Sequence, residues 1–291
     1  MIVDLDDVAG AGVLLSRALD LPEDAAEGGV LAARLATPPV GRGVVRVGAS
    51  DGTGAAFASI NDVDPGLGHV ELLAVLPEAR RRGVGARLLR AVEERLRAMG
   101  ATRVRLGGNP PCYAWPGIDV RYTPAVCLAR RAGYKISDTA WNMTADLGRR
   151  EALPVAADEA RLLDAGVKVE GAGPGTSEWV RAIWGDGWAW EVEQSLGRVG
   201  AGCYVATRDG EVLGFAAYGA NRPSWFGPMG TAPAAEGLGV GRVLLRRCLA
   251  DQRAMGLRTA QIGWAGPIGF YSKAVGARVE RVFWIYTKSL V

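Results

Sequence analysis

Histidine is almost missing from this chain, and cysteine and lysine are scarce, which removes several common function classes at the outset. The one histidine, His69, and four scattered cysteines, Cys112, Cys127, Cys203 and Cys248, include no Cys-x-x-Cys pair. This argues against a zinc site and against a disulfide framework, so no metal is expected. Long apolar runs are lacking too: none approaches the ~20 residues of a membrane span, and no membrane partner is expected. The acidic start, Met1-Ile2-Val3-Asp4-Leu5-Asp6-Asp7, lacks the basic and apolar regions of a signal peptide, which makes the cytoplasm the expected location. Lysine occurs only at Lys135, Lys168, Lys273 and Lys288, so arginine carries nearly all the positive charge. With alanine, glycine and valine abundant, this suggests a GC-rich bacterial genome. A net charge of +3 over 291 residues is too small for a broad nucleic-acid face. The basic residues instead gather at one turn, Arg80-Arg81-Arg82, or lie along helices beside acids.

What the chain does contain is a duplication. Gly83-Val84-Gly85, Leu88-Leu89-Arg90 and Arg97-Ala98-Met99-Gly100 return as Gly239-Val240-Gly241, Leu244-Leu245-Arg246 and Arg253-Ala254-Met255-Gly256 at one offset (239 − 83 = 156). A fixed offset over that many positions identifies a repeat. Further on, Gly133, Trp141 and Thr144 pair with Gly276, Trp284 and Thr287 at a smaller offset (276 − 133 = 143), so the first copy carries 156 − 143 = 13 extra residues. The Pro-rich aromatic run 109–124 is the expected insertion. Two domains are expected, 1–148 and 155–291, joined by a linker near 148–154.

Each copy reads as strands, helix, strand, helix and strand. In the first, residues 44–47 and 54–60 form a hairpin, 69–75 a third strand ended by Pro77, and 84–99 a helix with Val84, Leu88, Leu89, Val92, Leu96 and Met99 on one face. Residues 103–106, 125–132 and 140–147 supply a strand, a short helix and a closing strand. The second copy repeats this from 203–206 through 212–218 to 283–286. The expected fold class is therefore α/β, with a mixed sheet in each of two tandem domains.

The order strand, Arg-x-x-Gly-x-Gly, helix, present as Arg80-Arg81-Arg82-Gly83-Val84-Gly85, resembles the acetyl-CoA signature of the GNAT superfamily of N-acetyltransferases. The preceding proline, the following helix, Gly133-Tyr134 and the duplication carry the resemblance over most of the chain. It implies two tandem GNAT-like domains, each a mixed, mostly antiparallel sheet flanked by helices, with acetyl-CoA as cofactor. Tandem arrangements in this superfamily often keep one working site. The physics agrees: glycines admit a ligand close to the backbone, and the helix start offers free NH groups and the positive end of its dipole to a pyrophosphate.

By the resemblance, the cofactor contacts are Leu73, Ala74 and Val75 on the strand and Arg80, Arg81, Arg82, Gly83, Val84, Gly85 and Ala86 at the turn. In the second copy they are Met229, Gly230 and Thr231 with Gly237, Leu238, Gly239, Val240, Gly241 and Arg242. There Glu236 replaces Arg80 and Leu238 replaces Arg82, so the first copy is expected to bind more tightly. The family's strand glutamate, a base, is matched by Glu71, with Gly227 as its counterpart and His69 two residues earlier as a candidate relay. Its tyrosine acid is matched by Tyr271; the first copy has Leu128 there, and Tyr113 or Tyr122 from the insertion could substitute. For the acceptor, Trp184 and Trp188 in the Trp-rich run 179–191, together with Trp115 and Tyr122, are the candidate contacts, although tryptophans at helical spacing more often pack. The expected reaction is transfer of acetyl to a primary amine of a small molecule, such as an antibiotic or a biosynthetic intermediate, by direct attack in a ternary complex. The protein would act as a monomer or homodimer. The rival is a non-catalytic protein that binds acyl-CoA or a drug at degenerate sites.

Overall fold

The computed structural model describes residues 1–148, 155–235 and 237–291. The chain forms two compact units, Met1–Ala140 with Arg281–Val291, and Trp141–Glu280. The first begins with β1 (Ile2–Asp4), α1 (Val8–Ala18), α2 (Pro22–Ala25) and α3 (Gly28–Ala36). Then come β2 (Val44–Ala49), β3 (Gly54–Ile60), β4 (Leu67–Val75), α4 (Val84–Ala98), β5 (Arg103–Leu106), β6 (Ile118–Asp119) and α5 (Thr123–Arg131). Strand β7 (Lys135–Asp146) starts in this unit and enters the second at Trp141.

The second unit continues with α6 (Ala156–Asp164), β8 (Lys168–Gly171), α7 (Thr176–Trp184), α8 (Asp186–Gly197), β9 (Gly202–Arg208), β10 (Glu211–Tyr218) and β11 (Trp225–Thr231). It closes with α9 (Val240–Ala254), β12 (Thr259–Ile262) and α10 (Ile268–Val275), and β13 (Arg278–Ser289) returns to the first unit from Arg281.

Each unit therefore has a mixed, mostly antiparallel sheet. In the first the order is β1-β2-β3-β4-β5-β13, with β4 and β5 parallel; in the second it is β8-β9-β10-β11-β12-β7, with β11 and β12 parallel. The repeats exchange their last strands. Tyr286 of β13 lies opposite Leu106, and Met143 of β7 lies opposite Ile262. Leu106 and Ile262 are repeat equivalents (262 − 106 = 156), as are Met143 and Tyr286 (286 − 143 = 143), so each strand sits in the other's register. The expected boundaries, 1–148 and 155–291, follow the repeats, whereas the compact units cross them at these two strands. Of the expected linker, residues 149–154 lie outside the described residues.

The cores follow the helical periodicity. Helix α4 buries Val84, Leu88, Leu89, Val92 and Leu96 against β2, β3, β4 and the incoming Tyr286 and Leu290. Met99 is not part of that face: it is the C-cap residue and stays 42% exposed, because the helix ends one residue earlier than its apolar spacing implies. Helix α9 buries Val240, Val243, Leu244, Leu245, Cys248 and Leu249 in the second core, which takes Met143 and Ala145 from β7 and Leu147 just after it. Burial of this kind contributes about 25 cal/mol per Å² of apolar surface and outweighs helix propensity as the source of stability.

Candidate active site

Strand β4 is where the first unit opens. Its parallel pairing with β5 runs only from Leu67 to Val70, because β5 ends at Leu106 and Gly107 turns away. Among the described residues, backbone groups from Glu71 to Val75 on that flank have no ladder partner, which leaves NH donors for a ligand. Gly107 has φ +148°, and a Cβ there would lie 2.4 Å from the Pro116 oxygen, so the turn that splits the strands tolerates only glycine. On its other side β4 pairs with β3, with a register shift between Phe57 and Ala58 that leaves Glu71 as the extra, bulged residue.

Glu71 is 7% exposed and accepts a short hydrogen bond from the Ser59 hydroxyl. Asn109 Nδ2 donates to Ser59 Oγ at 2.8 Å and to the Ile60 oxygen at 3.0 Å, and Asn61 Nδ2 donates to Asn109 Oδ1 at 3.0 Å. The buried Arg42 guanidinium donates to the Asn109 oxygen at 2.7 Å and forms an ion pair with Asp62. Ser59 thus receives one hydrogen bond and turns its own proton to the carboxylate. Burial pushes the Glu71 carboxyl up to about 7, against the Ser59 hydrogen bond and the Arg42 charge that pull it down. A carboxylate poised there can take a proton at neutral pH.

His69 lies opposite Ser59 on the same face of the sheet and is 1% exposed. Its Nδ1 lies 3.2 Å from the Gly107 oxygen, which can only accept, so Nδ1 carries the proton. Burial lowers its pKa to about 4, which keeps the ring neutral at pH 7. Nε2 is a buried acceptor with no partner among the described residues.

The turn after β4 is shaped for an anion. Arg81 and Gly83 have φ +63° and +79°, alternating left-handed positions that turn successive NH groups inward, and Gly83 caps α4 without a side-chain bond. The first-turn NH groups of Val84, Gly85 and Ala86 are thereby left for a ligand. Gly85 faces Leu128, Leu73 and Val75, the nearest at 3.4 Å from a built Cβ. Arg81 and Arg82 are exposed. Arg80 is already committed: it donates to Asp20 at 2.9 Å, to the Ala18 oxygen at 2.7 Å and to the Val75 oxygen at 3.1 Å, bracing the turn from behind.

The second unit has the same backbone turn, with Gly237 and Gly239 at φ +78° and +84°, but helix α6 lies over it. Arg161 donates to the Leu238 oxygen at 3.0 Å, and its Nη2 lies 2.8 Å from a Cβ built on Gly239. Asp158 accepts from Arg242 at 2.7 Å and from Arg246 at 2.8 Å, so an internal carboxylate neutralises the bases at the start of α9. Glu236 lies outside the described residues. Beside Val240 and Gly241, the strand contacts Met229, Gly230 and Thr231 belong to β11, where Gly227 leaves no base and Trp184 lies 2.6 Å from a Cβ built on Gly230.

Other expected site residues pack. Trp184 stacks on Trp188 at 5.9 Å and meets Phe215 at 5.4 Å and Trp179 at 5.2 Å, an aromatic cluster on the second sheet. Tyr271 is 7% exposed in the second core, edge-on to Phe270 at 5.2 Å and to Phe226 at 6.3 Å, and burial pushes its hydroxyl up to about 12. Tyr122 donates to Asp24 at 3.0 Å, and burial and that carboxylate raise its pKa far above the ordinary value, unsuited to giving up a proton. Trp115 is 9% exposed. Sequence reasoning missed Ser59, Asn109 and Arg42. The legible signal was Ser59 opposite His69 in a hairpin; nothing local marks the other two.

Two tandem units, each with a short parallel strand pair that splays before a glycine turn and a long helix, repeat one α/β architecture. The acetyltransferase (GNAT) family profile matches residues 19–114 and 175–276, and the chain belongs to that family. It is 30% identical over 288 residues to a mycothiol acetyltransferase of Geodermatophilus obscurus, covering 89% of this chain and 87% of that one. A mycothiol acetyltransferase of Thermomonospora curvata is 31% identical over 240 residues, 77% of this chain and 74% of that one. Among solved structures, a tandem GNAT protein from the clavulanic acid biosynthesis pathway superposes with a TM-score of 0.70 at 19% identity, over 99% of this chain and 98% of that one, a likeness of fold. No helix among the described residues is long and apolar enough to cross a membrane.

Proposed function

We propose that the protein is an acetyl-CoA-dependent N-acetyltransferase for a small-molecule primary amine and that the first repeat holds the reacting centre. The observation that carries this is the buried Glu71 at the β4 bulge, held by Ser59 and poised near neutrality on the strand that leads into a glycine turn flanked by the exposed Arg81 and Arg82. The coenzyme's pyrophosphate would sit on the NH groups of residues 83–86 with Arg81 and Arg82 beside it. Acetyl-CoA, bound there, would supply an activated acyl thioester.

The chain's own groups then divide the work. Backbone NH groups at the end of β4 stabilise the oxygen that gains charge as the thioester is attacked. Glu71, ionised at and above about pH 7, takes a proton from the incoming ammonium or amine. Among described residues the position of the family's tyrosine is Leu128, which packs at Gly85, so the departing thiolate takes its proton from elsewhere, water included. The second repeat acts as scaffold, its turn covered by α6. Cytoplasmic residence is part of this reading.

The test is thiol release from acetyl-CoA with a panel of amines, beginning with the acceptor class that the two relatives' name implies, alongside amine-bearing antibiotics and biosynthetic intermediates. Acceptor-dependent release that Glu71→Gln reduces by about 10²-fold or more supports the assignment. Tight acetyl-CoA binding with no release for any acceptor would favour the second reading, a non-catalytic acyl-CoA-binding protein, which the missing tyrosine supports.

A further inference from the structure

The exchanged last strands sit in slots that differ in chemistry at repeat-equivalent positions. In the first unit Glu93 of α4 is 6% exposed, accepts from the Tyr134 hydroxyl at 2.8 Å, and takes both oxygens' contacts from Lys288 of β13 at 3.0 Å. The equivalents in the second unit are Leu249, Ala277 and Ala145 (249 − 93 = 156; 277 − 134 = 143; 288 − 145 = 143), all 1% exposed or less and all in one apolar cluster. A charged triad in one slot is matched by an apolar trio in the other.

The reverse asymmetry occurs three residues earlier on the strand. In the second unit Asn142 of β7 donates to Gln261 at 3.1 Å and accepts from the Trp264 backbone NH at 2.9 Å, all three within that unit. Its equivalent on β13 is Ile285, which could satisfy neither partner (285 − 142 = 143). At the entry of β13, Arg281 is 1% exposed and donates to Asp24 at 2.8 Å through two nitrogens and to Asp119 at 2.7 Å. The equivalent residue of the first repeat is Asp138, which offers those carboxylates no cation (281 − 138 = 143).

We propose that each slot is an interaction surface keyed to the other repeat's closing strand, so that the partner each repeat recognises is the last strand of the other repeat in the same chain. If each repeat kept its own strand, Ala145 would leave Glu93 without its cation and Lys288 would be driven against Leu249. A buried charge without a partner is among the costliest defects a core can carry, whereas the apolar alternative in both slots would have left the strands interchangeable. The polar pairs thus act against the unexchanged arrangement. The inference concerns assembly and is independent of the acetyl-transfer reading.

The full chain, with Cys127→Ser and a protease site placed within residues 149–154, tests it through paired cysteines. Ser289 is the registered partner of Arg103, and Asp146 is the repeat equivalent of Ser289. Arg103→Cys with Ser289→Cys should oxidise to a bond that holds the two halves together on a non-reducing gel after cleavage, whereas Arg103→Cys with Asp146→Cys, both in one half, should keep its two thiols free to alkylation, read by mass spectrometry. Failure of the first pair to form, or formation of the second, overturns the proposal. The key itself is read by melting: Ala145→Lys should lower the melting temperature by roughly 5–15 °C, and adding Lys288→Ala should lower it further. Recovery in that double variant, or no change with Ala145→Lys alone, would mean that Lys at 145 reaches Glu93 or solvent and would equally overturn it.

Discussion

The two repeats share a backbone turn and differ in what covers it. Both alternate left-handed residues before a long helix, at 81 and 83 in one and at 237 and 239 in the other. In the first the flanking Arg81 and Arg82 are exposed, and the strand leading in carries a buried carboxylate. In the second, Asp158 and Arg161 of α6 contact the turn, and the strand carries glycine with the Trp184 ring of α7 against it. A motif shows that a chain can form an anion cradle; whether the cradle is open depends on segments outside the motif.

The comparison can be broken most severely at Glu71. Glu71→Gln should lower kcat by about 10²–10⁴-fold with acetyl-CoA affinity within about 2-fold of wild type, measured by steady-state kinetics and calorimetry. The same substitution has a reading that needs no acceptor. The folded protein holds the Glu71 proton to about pH 7, above the ordinary value of 4.5, so the unfolded chain loses it first as pH rises. Stability should therefore decline between those two pH values, and Glu71→Gln should flatten that slope in denaturant titrations.

Ser59→Ala sharpens the account with a smaller effect. It removes the hydrogen bond that favours the carboxylate, so the pKa of Glu71 should rise and the acid limb of the kcat/KM profile should move to higher pH, with a several-fold loss of rate at pH 7. An unmoved limb would separate Ser59 from the titrating group. On the second repeat, Asp158→Ala frees Arg242 and Arg246 and should cost about 1–2 kcal/mol in stability while giving that turn weak affinity for the coenzyme, at least about 10-fold below the first. The smallest effect is expected at Tyr271: Tyr271→Phe should change turnover less than about 2-fold, because its ring packs within the core of the second unit.

Much of this was legible in the residues. The repeat, the strand and helix order and the glycine turn follow from patterns in the residues, because periodicity and turn chemistry act within a few residues, whereas Glu71 was singled out by the resemblance to the family. The strand exchange was not legible. β7 and β13 carry similar apolar alternation, and a strand's pattern states that it needs a slot without stating which. The fate of Arg80 was hidden for a related reason: its basic character fits a phosphate, and only folding brings Asp20 and the Ala18 carbonyl to it. Likewise, Trp184 and Trp188 have the composition of a pocket, and their packing against Phe215 depends on a hairpin that follows them in the chain. Arg42 and Asn109 reach the Glu71 network from a pre-strand loop and from the insertion, too far apart for any motif to join them.

The most direct measurement of the central claim is calorimetric titration of acetyl-CoA into the wild-type protein and into Gly83→Glu and Gly239→Glu variants. Each substitution sets a carboxylate and a Cβ at a left-handed glycine in an anion turn. The account predicts one site per chain, lost with Gly83→Glu and kept with Gly239→Glu. Binding that survives Gly83→Glu and disappears with Gly239→Glu would contradict it and move the reacting centre to the second repeat.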